Sequence, residues 1–189
     1  MGLSIAMKIN FPLLALAVGA FAIGTTEFSP MGFLPEIAND LSVSIPQAGL
    51  LISAYAVGVM IGAPLMTLWL ARFPKKTALI LLMAIFTIGN VLATVAPDYM
   101  SLMGARLITS LNHGAFFGLG SVVAASVVPK DKQASAVAMM FMGLTIANIG
   151  GVPLATWLSQ NTSWRMPFAA ISILGIMTIL ALWKALPQD

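Results

Sequence analysis

The stretch Tyr99–Val128, YMSLMGARLITSLNHGAFFGLGSVVAASVV, decides how the chain is read. About thirty mostly apolar residues are enough to cross a bilayer with tilt. Arg106 lies inside the run, where an ionised side chain costs roughly 2.5–3.5 kcal/mol on the insertion scale. His113 follows two helical turns later on the same face, with Ser110 and Phe117 on the same stripe. A membrane helix carrying an arginine, a serine and the chain's sole histidine along one face must turn that face away from lipid. The remaining sequence reads as the wall around it.

Composition agrees. Of 189 residues, 59% are hydrophobic and 8% charged, against about 25% charged in soluble domains. Mean hydropathy is +0.98, which places the chain among integral membrane proteins. Cysteine is absent, so disulfides, thiolate metal sites and cysteine nucleophiles are excluded. One histidine and six scattered acidic residues argue against a protein metal cage, and neither a cofactor nor enzymatic chemistry is expected.

Six spans follow from apolar runs and their breakers: about 11–31, 46–70, 77–96, 99–128, 133–158 and 164–186. Pro30 and Pro35 close the first, and Pro46 opens the second at a position where its missing N–H does no harm. Trp164 and Trp183, near the two ends of the sixth, fit an aromatic belt.

The charges then sort by side. Lys8, Arg72, Lys75, Lys76, Lys130, Lys132 and Lys184 fall on one side; Glu36, Asp40, Asp98 and Arg165 fall on the other. The positive-inside rule makes the first side cytoplasmic and puts both termini there. The net charge of +3 is thus a topology signal, with no nucleic-acid partner implied.

The spans form two groups of three. Gly62-Ala63-Pro64 in the second and Gly151-Val152-Pro153 in the fifth are matching breaks, as expected of two inverted three-helix repeats in a transporter. Gly143, Ala147, Gly150 and Gly151 line a small-residue face for close packing or gating. Glu27 and Arg106 are opposite charges at comparable depth. They suit either a protonatable carboxyl coupled to the arginine in a shared cavity or a permanent structural ion pair. His113 has the chemistry of a proton relay and equally that of an interhelical hydrogen bonder. Asn90, Asn112 and Asn148 are candidate hydrogen bonders between helices.

Thr25-Thr26-Glu27-Phe28-Ser29-Pro30-Met31-Gly32-Phe33-Leu34-Pro35-Glu36-Ile37-Ala38 resembles the first-helix pattern of one branch of the major facilitator superfamily, the drug:proton antiporters and arabinose-efflux permeases. Arg106-Leu107 resembles that family's fourth-helix motif, whose arginine is implicated in proton coupling. Gly143 through Pro153 resembles its fifth-helix antiporter motif, and Ser163-Trp164-Arg165-Met166-Pro167-Phe168 its usual opening of the sixth helix. The loop after the second span departs: Thr67, Ala71 and Pro74 stand where the family has Gly, Asp and Gly, while Arg72, Lys75 and Lys76 keep the basic character.

The resemblance covers about Lys8 to Pro187 and implies an all-α, six-helix, amino-terminal half of a proton-coupled transporter of the bacterial inner membrane. It further implies export of a sugar, drug or other small organic solute. Glu27, Arg106 and His113 are the candidate proton-handling residues, and Tyr55, Phe117 and Asn148 the candidate solute path. Gly62, Pro64, Gly143, Gly150, Gly151 and Pro153 are the candidate packing and gating positions. The expected partners are the lipid bilayer, a solute, protons, and a second six-helix half or another copy of the chain. The alternative is a membrane scaffold, assembly subunit or inactive gene fragment that transports nothing.

Overall fold

The computed structural model describes residues 10–187, so Lys8 lies outside the described residues. They form α1 (Phe11–Phe28), a 3-10 segment (Ser29–Phe33), α2 (Leu34–Asp40), α3 (Ile45–Leu70), α4 (Lys75–Thr94), α5 (Tyr99–Ser110) and α6 (His113–Ser126). A short 3-10 turn (Lys130–Lys132) then leads to α7 (Gln133–Ile146), a π-helical segment (Ala147–Gly151), α8 (Val152–Asn161) and α9 (Arg165–Ala185). These make six helical paths long and apolar enough to cross a membrane, the form that lets a backbone satisfy its own hydrogen bonds in lipid. Buried hydroxyls follow the same logic: Thr87, Thr109 and Ser172 each donate to the carbonyl four residues back.

Two boundaries differ from the sequence reading for a physical reason. The first path does not stop near residue 31 but runs on to Asp40. Pro30 falls early in the 3-10 segment and Pro35 early in α2, where a missing N–H is tolerated. The fifth path reaches Asn161 through a π-turn that absorbs the Gly151-Val152-Pro153 break. Its counterpart Pro64 sits instead within an uninterrupted α3.

The packing carries an inverted repeat. The first path lies against the fifth and the fourth against the second; the third lies against the fourth and the sixth against the first. The third and sixth also pack against each other. Exchanging paths one to three with four to six maps the third–sixth pairing onto itself and each of the others onto its counterpart. The glycines obey the same exchange. A methyl group at Gly62 would fall 2.8 Å from Leu111 Cα, and one at Gly151 would strike Thr25 Oγ1. Gly143 sits on the backbone of Ala17, whereas Gly150 faces open space and takes no part in the close-packed face.

The basic end of the bundle holds Arg72, whose guanidinium stacks 5.5 Å from both Trp69 and Phe73, and Lys76, which donates to the Leu186 carbonyl at 2.7 Å. Lys75 opens α4 beside them. At the opposite end Trp164 is not a belt residue. It is buried and donates from Nε1 to Asp40 at 2.9 Å, while Trp183 is 59% exposed.

Candidate functional site

The site grows from one missing donor. In a regular helix the Thr26 carbonyl accepts from the N–H of residue 30, but residue 30 is proline. A bare carbonyl in an apolar interior costs several kcal/mol. Arg106 fills the place from α5, with Nη1 2.8 Å from Thr26 O and 3.4 Å from Thr26 Oγ1. The Thr26 hydroxyl in turn donates to Asn90 Oδ1 at 2.7 Å, and Asn90 Nδ2 donates to the Phe86 carbonyl. A buried chain of polar groups thus ties the first, third and fourth paths together.

Arg106 is 1% exposed. Its guanidinium lies 4.3 Å from the Tyr55 ring and 5.9 Å from that of Phe168. The negative faces of these rings compensate a cation that Nη1 alone anchors by hydrogen bonds. Nε and Nη2 are buried without a hydrogen-bond partner.

Glu27 does not pair directly with Arg106. Its Oε2 lies 3.7 Å from His113 Nδ1, with a quarter of the carboxylate side chain exposed. Adjacent residues of a helix point about 100° apart, so the backbone at Thr26 meets Arg106 while the Glu27 side chain turns to His113.

The fourth path is broken at Leu111 and Asn112, where Gly62 approaches. Across this break Arg106 and His113 still share a neighbour. Tyr55 of α3 lies under the guanidinium, and its hydroxyl is 3.3 Å from His113 Nδ1. Beyond the imidazole runs a row of rings: His113 to Phe117 and Phe117 to Phe141, each 5.1 Å between centroids.

The candidate solute-path residues fare differently. Tyr55 is buried and turned to Arg106 and His113, and Phe117 is 8% exposed beneath Phe141. Asn148 is exposed in the π-turn and donates to the Leu144 carbonyl of its own helix, so it bonds to no neighbouring helix. Asn112, read as an interhelical bonder, is buried with neither amide atom hydrogen-bonded. Sequence reasoning had Asp40 and Arg165 only as topology charges, Trp164 as a belt residue and Phe168 as part of the sixth-helix motif; it foresaw neither their cluster nor the ring contacts of Phe168 and Phe141. The signal that Thr26 would recruit a donor was Pro30, four residues on. Among the described residues no group of His, Cys, Asp or Glu is arranged to hold a metal ion.

With this geometry in hand, likenesses to known proteins carry weight. The Escherichia coli (strain K12) inner membrane transport protein YdhP is 70% identical over 182 residues, covering 96% of this chain and 47% of that one. The putative transporter AraJ of the same organism is 41% identical, over 93% of this chain and 45% of that one. The chain therefore spans about half the length of these relatives. A bacterial homologue of the human lysosomal transporter Spinster, solved inward-facing and unoccupied, superposes on 96% of this chain and 44% of its own with a TM-score of 0.77 at 20% identity. That likeness shows the fold, half of a two-fold pseudosymmetric one. The profile of the Major Facilitator Superfamily matches residues 16–189, and the chain belongs to that family.

Proposed function

We propose that this chain is the amino-terminal half of a proton-coupled secondary transporter of the bacterial inner membrane, exporting a sugar, drug or other small organic solute, with its basic end in the cytoplasm. The observation that carries the reading is the pairing of Glu27 with His113. A carboxylate and an imidazole, both at mid-bundle depth, are the two side-chain types able to exchange a proton near neutral pH there. Both side chains remain partly exposed, so a proton and a solute can reach them. Arg106 holds the Thr26 carbonyl and thereby the turn that presents Glu27. The second half, or another copy of the chain, closes the cavity that these helices leave open.

The test uses the complete natural transporter in liposomes. Glu27→Gln is expected to abolish solute movement driven by a pH gradient while leaving exchange of solute for solute intact. Gradient-driven transport at the parental rate in Glu27→Gln overturns the proposal.

A further inference from the structure

We propose that Tyr55 is a positioning residue, whose hydroxyl keeps the His113 proton on Nε2 and Nδ1 unprotonated beside Glu27. The inference rests on the reading of Glu27 and His113 as a proton-handling pair and adds to it the group that decides which nitrogen is ready.

Nδ1 has two claimants. The Tyr55 hydroxyl is 3.3 Å away and Glu27 Oε2 is 3.7 Å away. One nitrogen holds one proton or one lone pair, so only one arrangement serves each state. Tyr55 is 2% exposed, and among the described residues its hydroxyl is within hydrogen-bond distance of no acceptor other than Nδ1. A buried hydroxyl proton needs an acceptor, so the phenol donates and Nδ1 accepts. The neutral imidazole then carries its proton on Nε2.

The orientation is enforced from the far side of the ring. The Arg106 guanidinium, 4.3 Å from the Tyr55 ring centroid, fixes the ring plane and draws electron density from it, which strengthens the hydroxyl as a donor. The Tyr55 and His113 rings meet edge to face at 77°. The ionisable groups around the imidazole are therefore Glu27 from α1, Tyr55 from α3 and, behind the tyrosine ring, Arg106 from α5. Phe117 and Phe141 complete the surroundings without a proton to offer.

When Glu27 carries a proton, transfer breaks Oε2–H and forms Nδ1–H. Neutral carboxyl and imidazole become carboxylate and imidazolium, and the Tyr55 hydroxyl turns away as the lone pair is consumed. Tyr55 thus competes with Glu27 for one atom.

The chain's sole histidine makes the test direct. The 189-residue chain, labelled with nitrogen-15 histidine and held in lipid nanodiscs, is read by NMR at a pH where the imidazole is neutral. The expected wild-type spectrum shows the Nε2–H tautomer. Tyr55→Phe is expected to move the tautomer ratio about fivefold toward Nδ1–H, the weight of one ordinary hydrogen bond. Glu27→Gln is expected to leave Nε2–H dominant. An Nδ1–H wild type overturns the proposal without any variant having to fold. An unchanged ratio in a folded Tyr55→Phe, or a shift in Glu27→Gln as large as in Tyr55→Phe, overturns it as well. The spectrum is independent of transport, so failure of the liposome test and failure of this one are separate results.

Discussion

The two ends of the bundle use the same latch with different strength. At the acidic end Arg165, at the start of the sixth path, donates to the carbonyl of Ala96 at the end of the third, at 2.9 Å. At the basic end Lys76, near the start of the third path, donates to the carbonyl of Leu186 at the end of the sixth, at 2.7 Å. The inverted repeat maps one contact onto the other. What differs is the company each cation keeps. Arg165 also reaches Asp40 at 2.6 Å, Trp164 donates to the same carboxylate oxygen, and the guanidinium lies 4.1 Å from the Trp164 ring. Among the described residues the Lys76 contact includes no carboxylate. The lesson is that the repeat dictates where a helix end needs a donor, while the residues added around it decide how firmly that end is held.

The largest effect expected of this comparison lies in the glycines, where the repeat is enforced by contact. Gly62→Val meets the Leu111 backbone and is expected to cost about 3 kcal/mol; the nearest atoms to Gly151→Val belong to the Thr25 and Phe21 side chains, and it is expected to cost about 1 kcal/mol. Equilibrium unfolding in mixed micelles reads the difference, with Gly150→Ala as the silent control. Equal losses at the two positions would break the mapping of strain onto backbone.

The latches come next. Arg165→Met is expected to cost about 1–1.5 kcal/mol, kept low because the ion pair is partly solvated. Lys76→Met, losing one contact to a helix-end carbonyl, is expected to cost about 0.5 kcal/mol. A larger loss at Lys76 would reverse the ranking of the two ends. Trp164→Phe sharpens the point, since it removes one donor from Asp40 and leaves Arg165 in place.

The smallest effect concerns pH. Asp98 caps α5: its carboxylate accepts from the Ser101 backbone N–H at 2.8 Å, and the Ser101 hydroxyl returns a bond to the Asp98 N–H. These Ser101 contacts, the backbone bond first, hold the Asp98 carboxyl below its ordinary value. A depressed carboxyl stabilises the fold above its unfolded value, about 3.9, and loses that contribution as pH falls through the folded one. Asp98→Asn should therefore flatten the acid limb of the stability curve slightly, and unfolding followed across that limb checks it.

Much of this architecture was legible in the sequence. Apolar runs bounded by prolines and charges marked the six paths, and the paired glycines Gly62 and Gly151 marked the repeat as close contacts, although only the second Gly-x-Pro interrupts its helix. The site was legible as a set of residues, though its pairings were not. Glu27 seemed matched to Arg106 because Pro30 and Pro35 read as the end of the first helix. Proline also fits the first turn of a new helical segment, so the first path runs on; and matching depth does not set direction, for Arg106 meets Thr26 while the adjacent Glu27 turns to His113. Trp164 posed the same difficulty, since its acceptor, Asp40, is 124 residues away. Nothing local distinguishes a belt tryptophan from a buried one.

The bare carbonyl at Thr26 also bears on how the chain enters the membrane. Synthesis runs from the amino terminus, so the first helix is in place before Arg106 leaves the ribosome. The path that carries Arg106 is the least apolar of the six. Its arginine arrives at a bilayer that already contains a hydrogen-bond acceptor with no donor of its own. With proline at position 30, the acceptor that Arg106 occupies in the fold stands some eighty residues ahead of it in the chain. Restoring the donor with Pro30→Ala would leave the Thr26 carbonyl one lone pair, in place of two, for the late-arriving arginine.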